Sequence, residues 1–446
     1  MEKTALDLLD RINAAGYEAY IVGGAPRNKT LGIPVKDYDI ATNAKPDEIE
    51  KVFSGYAFVE SGIKHGTVGV IVDKVVYEIT TYRVDGEYIA HRRPKTVDFV
   101  SSLKEDLSRR DFTINALAYG KDLQIIDYFG GLNDLKEGVI KAVGDPEKRF
   151  TEDALRILRA LRFSAVYGFD IEKNTYLGMV KCKGYLQDVS KERIYTELTA
   201  ALCGKYAARA LYNCKEILFE VIPELRKTDG FLQYSLSHDY DVFNHTLRVI
   251  ASLRIRTPSV CWAALLHDIG KPDCLVFDDD GAGHTPGHMQ RSKEISEPIL
   301  ERLKFSKKLK ERVLTLVGDH DKSVSGTKYD LKKYISVNGK ELTYDLYNLK
   351  VADNLAHSTY GLKRFAKSVK RFKDFLDEIE MNNEVTDFND LAIGGEDLKP
   401  LNVEGKSVGV LKEKLFDMVL KGKIPNEKSA LFLAASRFVK STKINH

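Results

Sequence analysis

The 446 residues exceed what one ordinary hydrophobic core holds, so the length predicts about two to four domains. With 43% hydrophobic and 30% charged residues, and no run of about 18 apolar residues, the composition favours a soluble globular protein and argues against a membrane partner. A net charge of +3 is too small to indicate a nucleic-acid partner by itself, so that partner requires local clusters of basic residues.

The cysteines and the N-terminus predict a cytoplasmic protein. The five cysteines include no CxxC pair and no disulfide-framework spacing, as expected for reduced thiols. The first residues lack the basic and then apolar pattern of a signal peptide.

The first predicted elements are a helix over 4–14 and a strand that ends at the glycine turn Gly23-Gly24. The next strand carries Asp37 and Asp39. Because alternate strand residues face the same side, their carboxylates project side by side, about 7 Å apart along the chain. Two carboxylates that close repel each other unless a cation lies between them, and a divalent cation with oxygen ligands fits best.

The residues between the glycine turn and the acidic strand predict a phosphate contact. Gly23 and Gly24 allow a ligand to approach backbone N–H groups closely, and Arg27 can pair with a phosphate. The stretch therefore predicts a metal–nucleotide site.

A β-hairpin is predicted over 66–83, because two β-branched runs meet at Asp73-Lys74. Glu78 is an acid inside the second run. Two interpretations remain open: a carboxylate on a solvated face, or a third acid beside Asp37 and Asp39.

A polar, charged stretch over 84–111 has the composition of a functional loop. We expect a helix over 112–119 after it, and a strand over 124–129. Beyond about residue 130 the pattern is helical.

A helix predicted over 149–163 carries an unusual charge pattern. Asp153, Arg156, Arg159 and Arg162 recur every three residues and so form one ridge. An ordinary solvated face mixes both signs of charge, whereas three arginines behind one aspartate suit phosphates or bases; the solvated face remains the alternative.

Histidines and aspartates between residues 238 and 357 predict a second metal site. His267-Asp268 ends an apolar helix and offers a nitrogen and an oxygen ligand, which His245 and Asp353 can complete. A mixed nitrogen and oxygen set suits Mn, Ni, Fe or Zn better than Ca.

A basic helix with interleaved aromatic residues is predicted from residue 361. Such helices are commonly only solvated, but this one can follow an RNA backbone. Its basic residues are Lys363, Arg364, Lys367, Lys370 and Arg371.

Taken together in this order, the motifs resemble those of the bacterial-type CCA-adding enzymes, the tRNA nucleotidyltransferases grouped with bacterial poly(A) polymerases, fused to an HD-type domain. The motifs are Gly23-Gly24 with Arg27, Asp37-Tyr38-Asp39, Glu78 to Arg83, Arg109 to Asn115, Gly130-Gly131 with Asp134, and Glu152-Asp153 with Arg156.

The resemblance implies an α+β fold, in which a nucleotidyltransferase head with a small mixed β-sheet precedes an all-α neck, an HD body and a tail that binds tRNA. The implied divisions are 1–130 for the catalytic head, 131–205 for the neck, 206–360 for the body and 361–446 for the tail.

The resemblance also implies the chemistry of the head. Asp37 and Asp39 would bind two Mg²⁺ ions with Glu78 as a third carboxylate, and the enzyme would add CCA to the 3′ end of tRNA from CTP and ATP. The residues implied to hold the nucleotide are Gly23, Gly24, Arg27, Arg110, Arg159 and Arg162, with Asp153 and Arg156 reading the base.

For the HD-type domain, the resemblance implies one divalent metal such as Ni²⁺ or Mn²⁺ on His245, His267, Asp268 and Asp353. His288 and His320 are available for a second metal. A phosphohydrolase acting on phosphomonoesters or 2′,3′-cyclic phosphates is the implied activity.

Three residues depart from the family pattern: Pro26 and Asn28 stand where a β-branched residue and an aspartate flank the motif arginine, and Ala90 replaces an acid. Other readings remain open, namely an A-adding enzyme, a poly(A) polymerase, or an HD phosphohydrolase as the main activity. The full-length 84–111 loop argues against an enzyme that adds only C residues.

Overall fold

The chain folds into two compact units. A computed structural model describes residues 1–59, 66–86, 88–89, 93–94 and 97–443. One unit holds residues 1–226 with Arg302–Lys304, and the other holds the remaining residues from Lys227 onward. Ala90 lies outside the described residues.

A mixed seven-stranded sheet is the centre of the N-terminal unit. The strands of this unit are β1 (Ala19–Val22), β2 (Asp39–Thr42), β3 (Ala57–Val59), β4 (Thr67–Val72), β5 (Val75–Thr81), β6 (Arg83–Asp85), β7 (Tyr88–Ile89), β8 (Arg93–Pro94), β9 (Val97–Phe99), β10 (Leu117–Tyr119), β11 (Ile125–Asp127), β12 (Val139–Ile140) and β13 (Asp170–Ile171). The sheet order is β11-β10-β1-β2-β5-β4-β3, in which only the β2–β5 pair is parallel.

Helices cover the sheet and continue beyond it. They are α1 (Glu2–Ala14), α2 (Gly24–Thr30), α3 (Pro46–Val52), α4 (Leu103–Ser108), α5 (Gly131–Glu137), α6 (Pro146–Glu152), α7 (Leu155–Tyr167), α8 (Lys173–Cys182), α9 (Lys191–Leu202), α10 (Ala207–Asn213) and α11 (Lys215–Val221). Leu9 of α1 and Phe53, directly after α3, are buried against Ile40 and Ile79 of the sheet. This core fixes β2 and β5, the two strands that carry the candidate acids.

The predicted hairpin is confirmed. β4 and β5 pair in antiparallel register, and the residues that join them, Asp73 and Lys74, have φ values of 50° and 66°. Two successive positive φ angles are typical of the two-residue turn that matches the twist of a hairpin.

The helix expected over 112–119 is wrong. Thr113–Asn115 forms one 3₁₀ turn, and Leu117–Tyr119 is strand β10, fully buried between β1 and β11. A short, continuously apolar run fits a buried strand as well as a buried helix, and here pairing in the sheet decides.

The continuous helix expected over 149–163 is also wrong, because it breaks at Asp153. Helix α6 ends at Glu152, Asp153 adopts extended backbone angles, and α7 begins at Leu155. Asp153 therefore does not share a helical ridge with Arg156, Arg159 and Arg162.

The C-terminal unit is helical except for one small hairpin. Its elements are α12 (Val242–Ser252), α13 (Pro258–Leu266), α14 (Lys271–Cys274), β14 (Val276–Phe277), β15 (Gly283–His284), α15 (His288–Arg302), α16 (Lys307–Asp319), α17 (Lys328–Asn338), α18 (Lys340–Ala356), α19 (Thr359–Met381), α20 (Gly395–Leu398), α21 (Lys406–Leu420) and α22 (Lys428–Lys443). Helix α13 is buried from Ser259 to Leu266 and carries Trp262. None of the helices in the described ranges is both long and apolar enough to cross a membrane.

The predicted fold class, a small mixed sheet followed by helices, is confirmed. The short pairs β12–β13 and β14–β15 are additions within regions expected to be purely helical. The finer division into head, neck, body and tail stays a prediction.

Gly131→Ala tests the packing of the N-terminal unit. A Cβ atom at Gly131 would lie 2.2 Å from the carbonyl oxygen of Thr113, so we expect a loss of about 2–3 kcal/mol in the free energy of unfolding. Urea unfolding followed by circular dichroism measures this loss. Gly184→Ala is the control, since a Cβ there meets nothing within 4 Å, and equal stability of the two variants would contradict the packing described.

Candidate active sites

Three carboxylates meet at the junction of β2 and β5. Tyr38 is buried in the core while Asp37 and Asp39 are exposed, so both acids project from the same side of the chain. The parallel register pairs Ile40 with Ile79, which brings Glu78 beside Asp39. Glu78 is exposed on this junction. The position of Glu78 agrees with its interpretation as a third acid beside the aspartates, although its side chain also lies on a solvated face.

The surroundings of Asp39 disfavour its charged form. Although the side chain is exposed in a groove, desolvation by the surrounding protein raises the pKa of Asp39 above its ordinary value. The charges of Glu78 and Asp37 raise that pKa further, and Arg110 opposes them. Among the described residues, none of the ion pairs involves these three acids, so a bound cation would relieve their repulsion.

Asp37, Asp39 and Glu78 do not supply a complete set of metal ligands by themselves. In the described part of the chain, groups of three or more ligand atoms within 4.8 Å of one another occur only in the C-terminal unit. Mg²⁺ sites that handle nucleotides commonly use one or two carboxylates and complete their shell with substrate phosphates and water. Two neighbouring carboxylates therefore fit such an ion.

Gly23 leaves a space directly over the acidic groove. A Cβ atom at this position would lie 3.2 Å from Arg110 Nη1 and 3.4 Å from Asp39 Oδ2. Gly23 also has a φ of 75°, and Gly24 begins helix α2. The turn thus brings backbone N–H groups, a guanidinium and a carboxylate together, an arrangement suited to a metal-bound phosphate.

Arg27, expected against a phosphate, is enclosed instead. Its side chain is 7% exposed, and its guanidinium lies 5.1 Å from the ring of Phe163 and 5.0 Å from that of Tyr167. Nε and Nη2 donate to Asn28 Oδ1 at 3.2 and 3.0 Å, and Nη1 donates to Asn115 Oδ1. Asn28 therefore still orients Arg27. A direct phosphate contact by Arg27 stays a prediction that requires these bonds to exchange.

Asp111 connects the motif arginine to helix α7. Its Oδ1 accepts a hydrogen bond from Asn115, which in turn holds Arg27, and its Oδ2 accepts one from Arg159 Nε at 2.7 Å. Burial raises the pKa of Asp111, but the charge of Arg159 and the hydrogen bond from Asn115 lower it to about 2. Both residues belong to the Arg109 to Asn115 motif, but the sequence did not predict that they link Arg27 to α7.

The predicted arginine ridge is paired with acids. Arg159 Nη1 lies 3.8 Å from Glu197 Oε1, and Arg162 Nε donates to Glu197 Oε2 at 2.5 Å. Glu197 lies on α9, and its place between the arginines depends on the packing of α7 against α9.

The predicted base-reading pair is held by separate partners. Asp153 Oδ2 accepts a hydrogen bond from Arg193 Nη2 at 2.8 Å. Arg156 Nη1 pairs with Glu152 at 2.8 Å, and its Nη2 donates to the carbonyl oxygen of Arg109 at 3.0 Å. Arg193 and Glu152 thus position the two residues, a role that sequence reasoning did not assign.

Six side chains converge in the C-terminal unit and are named here the His–Asp cluster: His245, His267, Asp268, His288, His320 and Asp353. Its ligand atoms form two groups that share Asp268. Asp268 Oδ2 lies 3.6 Å from His245 Nε2 and 3.2 Å from His267 Nε2, while Oδ1 lies 3.7 Å from His288 Nε2 and 3.5 Å from His320 Nε2. Asp353 Oδ1 lies 3.0 Å from His245 Nε2.

The histidine rings are oriented with their Nε2 atoms toward Asp268. In His267, His288 and His320, Nδ1 donates to the carbonyl oxygen of the residue three positions earlier, at 2.8 Å in each case. Because Nδ1 of each ring is occupied by this hydrogen bond, Nε2 is the atom available to bind a metal.

Buried polar atoms at the centre of the cluster have no hydrogen-bond partner in the described chain: His267 Nε2, Asp268 Oδ1 and Asp268 Oδ2. Lys271 Nζ lies 2.7 Å from Asp268 Oδ2, but outside hydrogen-bonding geometry. Burial alone raises the pKa of Asp268, yet His267 and Lys271 hold that pKa well below its usual range. A buried carboxylate with imidazole nitrogens on both sides is a fitting site for divalent metal ions.

A close approach of two helices makes glycine necessary after the His-Asp pair. A Cβ atom at Gly270 would lie 2.5 Å from the backbone nitrogen of Ser292 on α15, and the Gly270 N–H donates to Ser292 Oγ at 3.0 Å. This contact fixes α15, which begins with His288, against His267 and Asp268.

A cavity of about 310 Å³ opens beside the cluster. Sequence reasoning did not single out several of its other lining residues, namely His238, Lys271, Lys350, Asn354 and His357. They flank the ligands in the fold but follow no recognised ligand spacing.

The basic helix is confirmed as α19, which is longer than predicted. Lys363, Arg364, Lys367, Lys370 and Arg371 are all exposed. Lys370 pairs with Asp374 at 2.9 Å, so part of this charge is compensated on the helix itself.

Asp268→Asn tests whether the cluster binds metal. The substitution removes the charge shared by both groups, so we expect the affinity for Mn²⁺ to fall by about 100-fold or more. The loss is measured as the number of Mn²⁺ ions that remain bound per chain after gel filtration. All proteins compared also carry Asp37→Ala/Asp39→Ala. Asp278→Asn is the control, because Asp278 pairs with the exposed His284, and unchanged binding by the Asp268 variant would refute the site.

Three family models match the chain. They are the poly A polymerase head domain over residues 19–141, the probable RNA and SrmB-binding site of polymerase A over 168–227, and the HD domain over 242–358. The His–Asp cluster lies within the last of these.

Relatives match almost the whole chain. The CCA-adding enzyme of Streptococcus suis (strain 05ZYH33) is 34% identical over 440 residues, which cover 96% of this chain and 94% of that protein. The CCA-adding enzyme of Ligilactobacillus salivarius (strain UCC118) is 33% identical over 443 residues, with coverage of 98% and 96%.

Solved structures share the fold. The Bacillus stearothermophilus CCA-adding enzyme in complex with CTP has a TM-score of 0.68 and 28% identity, covering 100% of this chain and 99% of that chain. The Thermotoga maritima CCA-adding enzyme complexed with tRNA has a TM-score of 0.61 at 22% identity, covering 99% and 95%, and shows the fold alone. With relatives of this identity over nearly its full length, the chain belongs to the CCA-adding enzyme family, with an HD domain.

Proposed function

We propose that this enzyme is a tRNA nucleotidyltransferase that adds C, C and A to tRNA 3′ ends from CTP and ATP, without a nucleic-acid template. The observation that carries the proposal is the acidic groove at β2 and β5, with Gly23 and Arg110 directly over Asp39. Full-length similarity to CCA-adding enzymes supports the same activity.

Enzymes of this family are metal-dependent. In the proposal, Asp37 and Asp39 hold Mg²⁺, with Glu78 as a third carboxylate. When bound, Mg²⁺ lowers the pKa of the primer 3′-hydroxyl and neutralises charge on the triphosphate.

The chain itself positions the nucleotide triphosphate. The Gly23-Gly24 turn and the guanidinium of Arg110 lie beside the groove, where backbone N–H groups and a guanidinium favour phosphate oxygens. Arg159 and Arg162, steadied by Glu197, add positive charge from α7. Arg27 holds helix α2 in place, and it contacts a phosphate directly once its hydrogen bonds to Asn28 and Asn115 are exchanged.

Base selection is assigned to Asp153 and Arg156. Cytosine and adenine each present an amino donor beside a ring-nitrogen acceptor, which match a carboxylate and a guanidinium. Uracil and guanine place a carbonyl where the amino group would be and lose that pairing. Arg193 and Glu152 hold the two side chains for this task.

tRNA is the proposed partner, with the exposed basic side chains of α19 following its backbone. Because its substrates are tRNA, ATP and CTP, we expect the enzyme to act in the cytoplasm. The five free cysteines agree with a reducing compartment.

The His–Asp cluster supports a second activity, a metal-dependent phosphohydrolase. HD domains are metal-dependent, and the residues of the His–Asp cluster would hold Ni²⁺ or Mn²⁺, which would supply activation of water for hydrolysis of a phosphate ester. Hydrolysis of a 2′,3′-cyclic phosphate adds water: its oxygen bonds to phosphorus, one phosphorus–oxygen bond to ribose breaks, and the released ribose oxygen takes a proton.

Labelled CTP and ATP test the first activity on a tRNA that ends at its discriminator base. We expect the addition of C, C and A, and a loss of about 100-fold or more in Asp37→Ala/Asp39→Ala, because bound metal supplies several kcal/mol to the transition state. Asp122→Ala, an exposed acid on the same unit, is the control. Addition of A alone would instead indicate an A-adding enzyme, and addition of a long run of A would indicate a poly(A) polymerase. No incorporation of either nucleotide would refute the proposal.

Adenosine 2′,3′-cyclic phosphate tests the second activity with the Ni²⁺- or Mn²⁺-loaded enzyme. We expect hydrolysis to a monophosphate, reduced about 100-fold or more by Asp268→Asn and retained in Asp278→Asn. If the loaded enzyme leaves the cyclic phosphate intact, the cluster has only a structural role.

A further inference from the structure

The cavity beside the His–Asp cluster extends past the metal ligands. Its lining beyond them includes His238, Asn354, His357, Phe365 and Ser368. They lie in the segment before α12, at the end of α18 and in the first turns of α19. A volume of about 310 Å³ is sufficient for a small ligand, since such sites commonly span roughly 300–1,000 Å³.

One wall of this cavity is aromatic. The ring centroids of His238 and His357 are 4.6 Å apart, and those of His357 and Phe365 are 5.0 Å apart. The His357 ring is held in place because its Nδ1 donates to the carbonyl oxygen of Asp353 at 2.7 Å. Fixed rings facing a cavity are the usual surface on which a nucleobase stacks.

The aromatic wall is accompanied by an unsatisfied amide. Asn354 is only 8% exposed, and its Oδ1 has no hydrogen-bond partner among the described residues. A buried acceptor without a donor is unfavourable unless a ligand supplies that donor. The exocyclic amino group of adenine or cytosine supplies it, whereas uracil has a carbonyl at that position.

The lining of the cavity also carries positive charge. Lys350 Nζ donates to the carbonyl oxygen of His320 at 2.6 Å, and Lys271 Nζ donates to Gln233 Oε1 at 2.8 Å and lies beside Asp268. Both lysines line the cavity. The two lysines suit a phosphate next to the metal ligands, and the aromatic rings suit the base of the same nucleotide.

We propose that the wall formed by His357, Phe365 and Asn354 is a nucleobase subsite, so that the His–Asp cluster binds nucleotides bearing an amino-substituted base more tightly than phosphate esters that lack a base. This inference rests on the proposed phosphohydrolase activity. A simple aliphatic ester would leave both the stacking surface and the Asn354 acceptor unused.

Two substrates with the same cyclic diester separate the subsite from the hydrolytic centre. Adenosine 2′,3′-cyclic phosphate carries a base, and glycerol 1,2-cyclic phosphate does not. For the metal-loaded enzyme, we expect Phe365→Ala to raise KM for the adenosine substrate about 10-fold with little change in kcat, because one stacking contact is lost. Kinetics on the glycerol substrate should not change. Tyr360→Ala, an exposed aromatic residue on the same helix at 55% exposure, is the control.

Asn354→Ala gives an independent readout. In the unaltered enzyme we expect KM for the uridine cyclic phosphate to exceed that for the adenosine one by about 10-fold, and the variant to remove this difference. A variant that slows both the adenosine and the glycerol substrates equally would mark Asn354 as structural and overturn its assignment.

Direct binding distinguishes failure of the subsite from failure of the hydrolase. Calorimetry on the Mn²⁺-loaded full-length Asp37→Ala/Asp39→Ala protein compares adenosine 2′-monophosphate with glycerol 2-phosphate, and we expect about 10-fold tighter binding of the nucleotide, lost in Phe365→Ala. Tighter nucleotide binding without hydrolysis of either cyclic ester would refute the hydrolase and keep the subsite. Hydrolysis of both esters with equal KM and equal binding would refute the subsite and keep the hydrolase.

Discussion

Carboxylates held close together or buried must be matched by positive charge, and this requirement organises both units. Where the chain provides an arginine, an ion pair fixes both side chains, which then act as supporting residues. Asp111 pairs with Arg159 in this way, and Glu197 pairs with Arg162. Asp37 and Asp39 form no ion pair within the described chain, and Asp268 accepts no hydrogen bond there although Lys271 Nζ lies 2.7 Å from it. The same physical rule therefore separates supporting residues from the proposed metal ligands.

Arginine–carboxylate pairs also position the side chains proposed to select the base, which explains how the N-terminal unit can select nucleotides without a nucleic-acid template. Asp111 connects Arg27 through Asn115 to Arg159, so the glycine turn and helix α7 are held by one hydrogen-bonded chain of side chains. In the proposed mechanism, the chemistry at the acidic groove and the selection of the base fall to different residues, and this chain of side chains connects the glycine turn to α7, the helix that carries Arg156. Asn28 preserves this connection even though it carries no charge, since both Nε and Nη2 of Arg27 donate to it.

Features set by neighbouring residues could be predicted from the sequence. The alternation around Tyr38, the turn at Asp73-Lys74 and the His267-Asp268 pair at a helix end are local patterns, and the resemblance to a known family joined them into sites. Features set by distant contacts could not: β10 is a strand because it pairs with β1, and Asp153 leaves the helix and contacts Arg193. The partners of Arg27 and the cavity wall at Asn354 likewise depend on packing between segments far apart in the chain.

Anomalous diffraction from Mn²⁺-soaked crystals of the full-length enzyme with a bound nucleotide tests the central claim most directly. The account predicts Mn²⁺ at Asp37 and Asp39 and on the histidine-bearing sides of Asp268, and no Mn²⁺ at the arginine-paired Asp111 or Glu197. Mn²⁺ at the arginine-paired acids, or its absence from both Asp39 and Asp268, would contradict the rule that the unmatched carboxylates are the metal ligands.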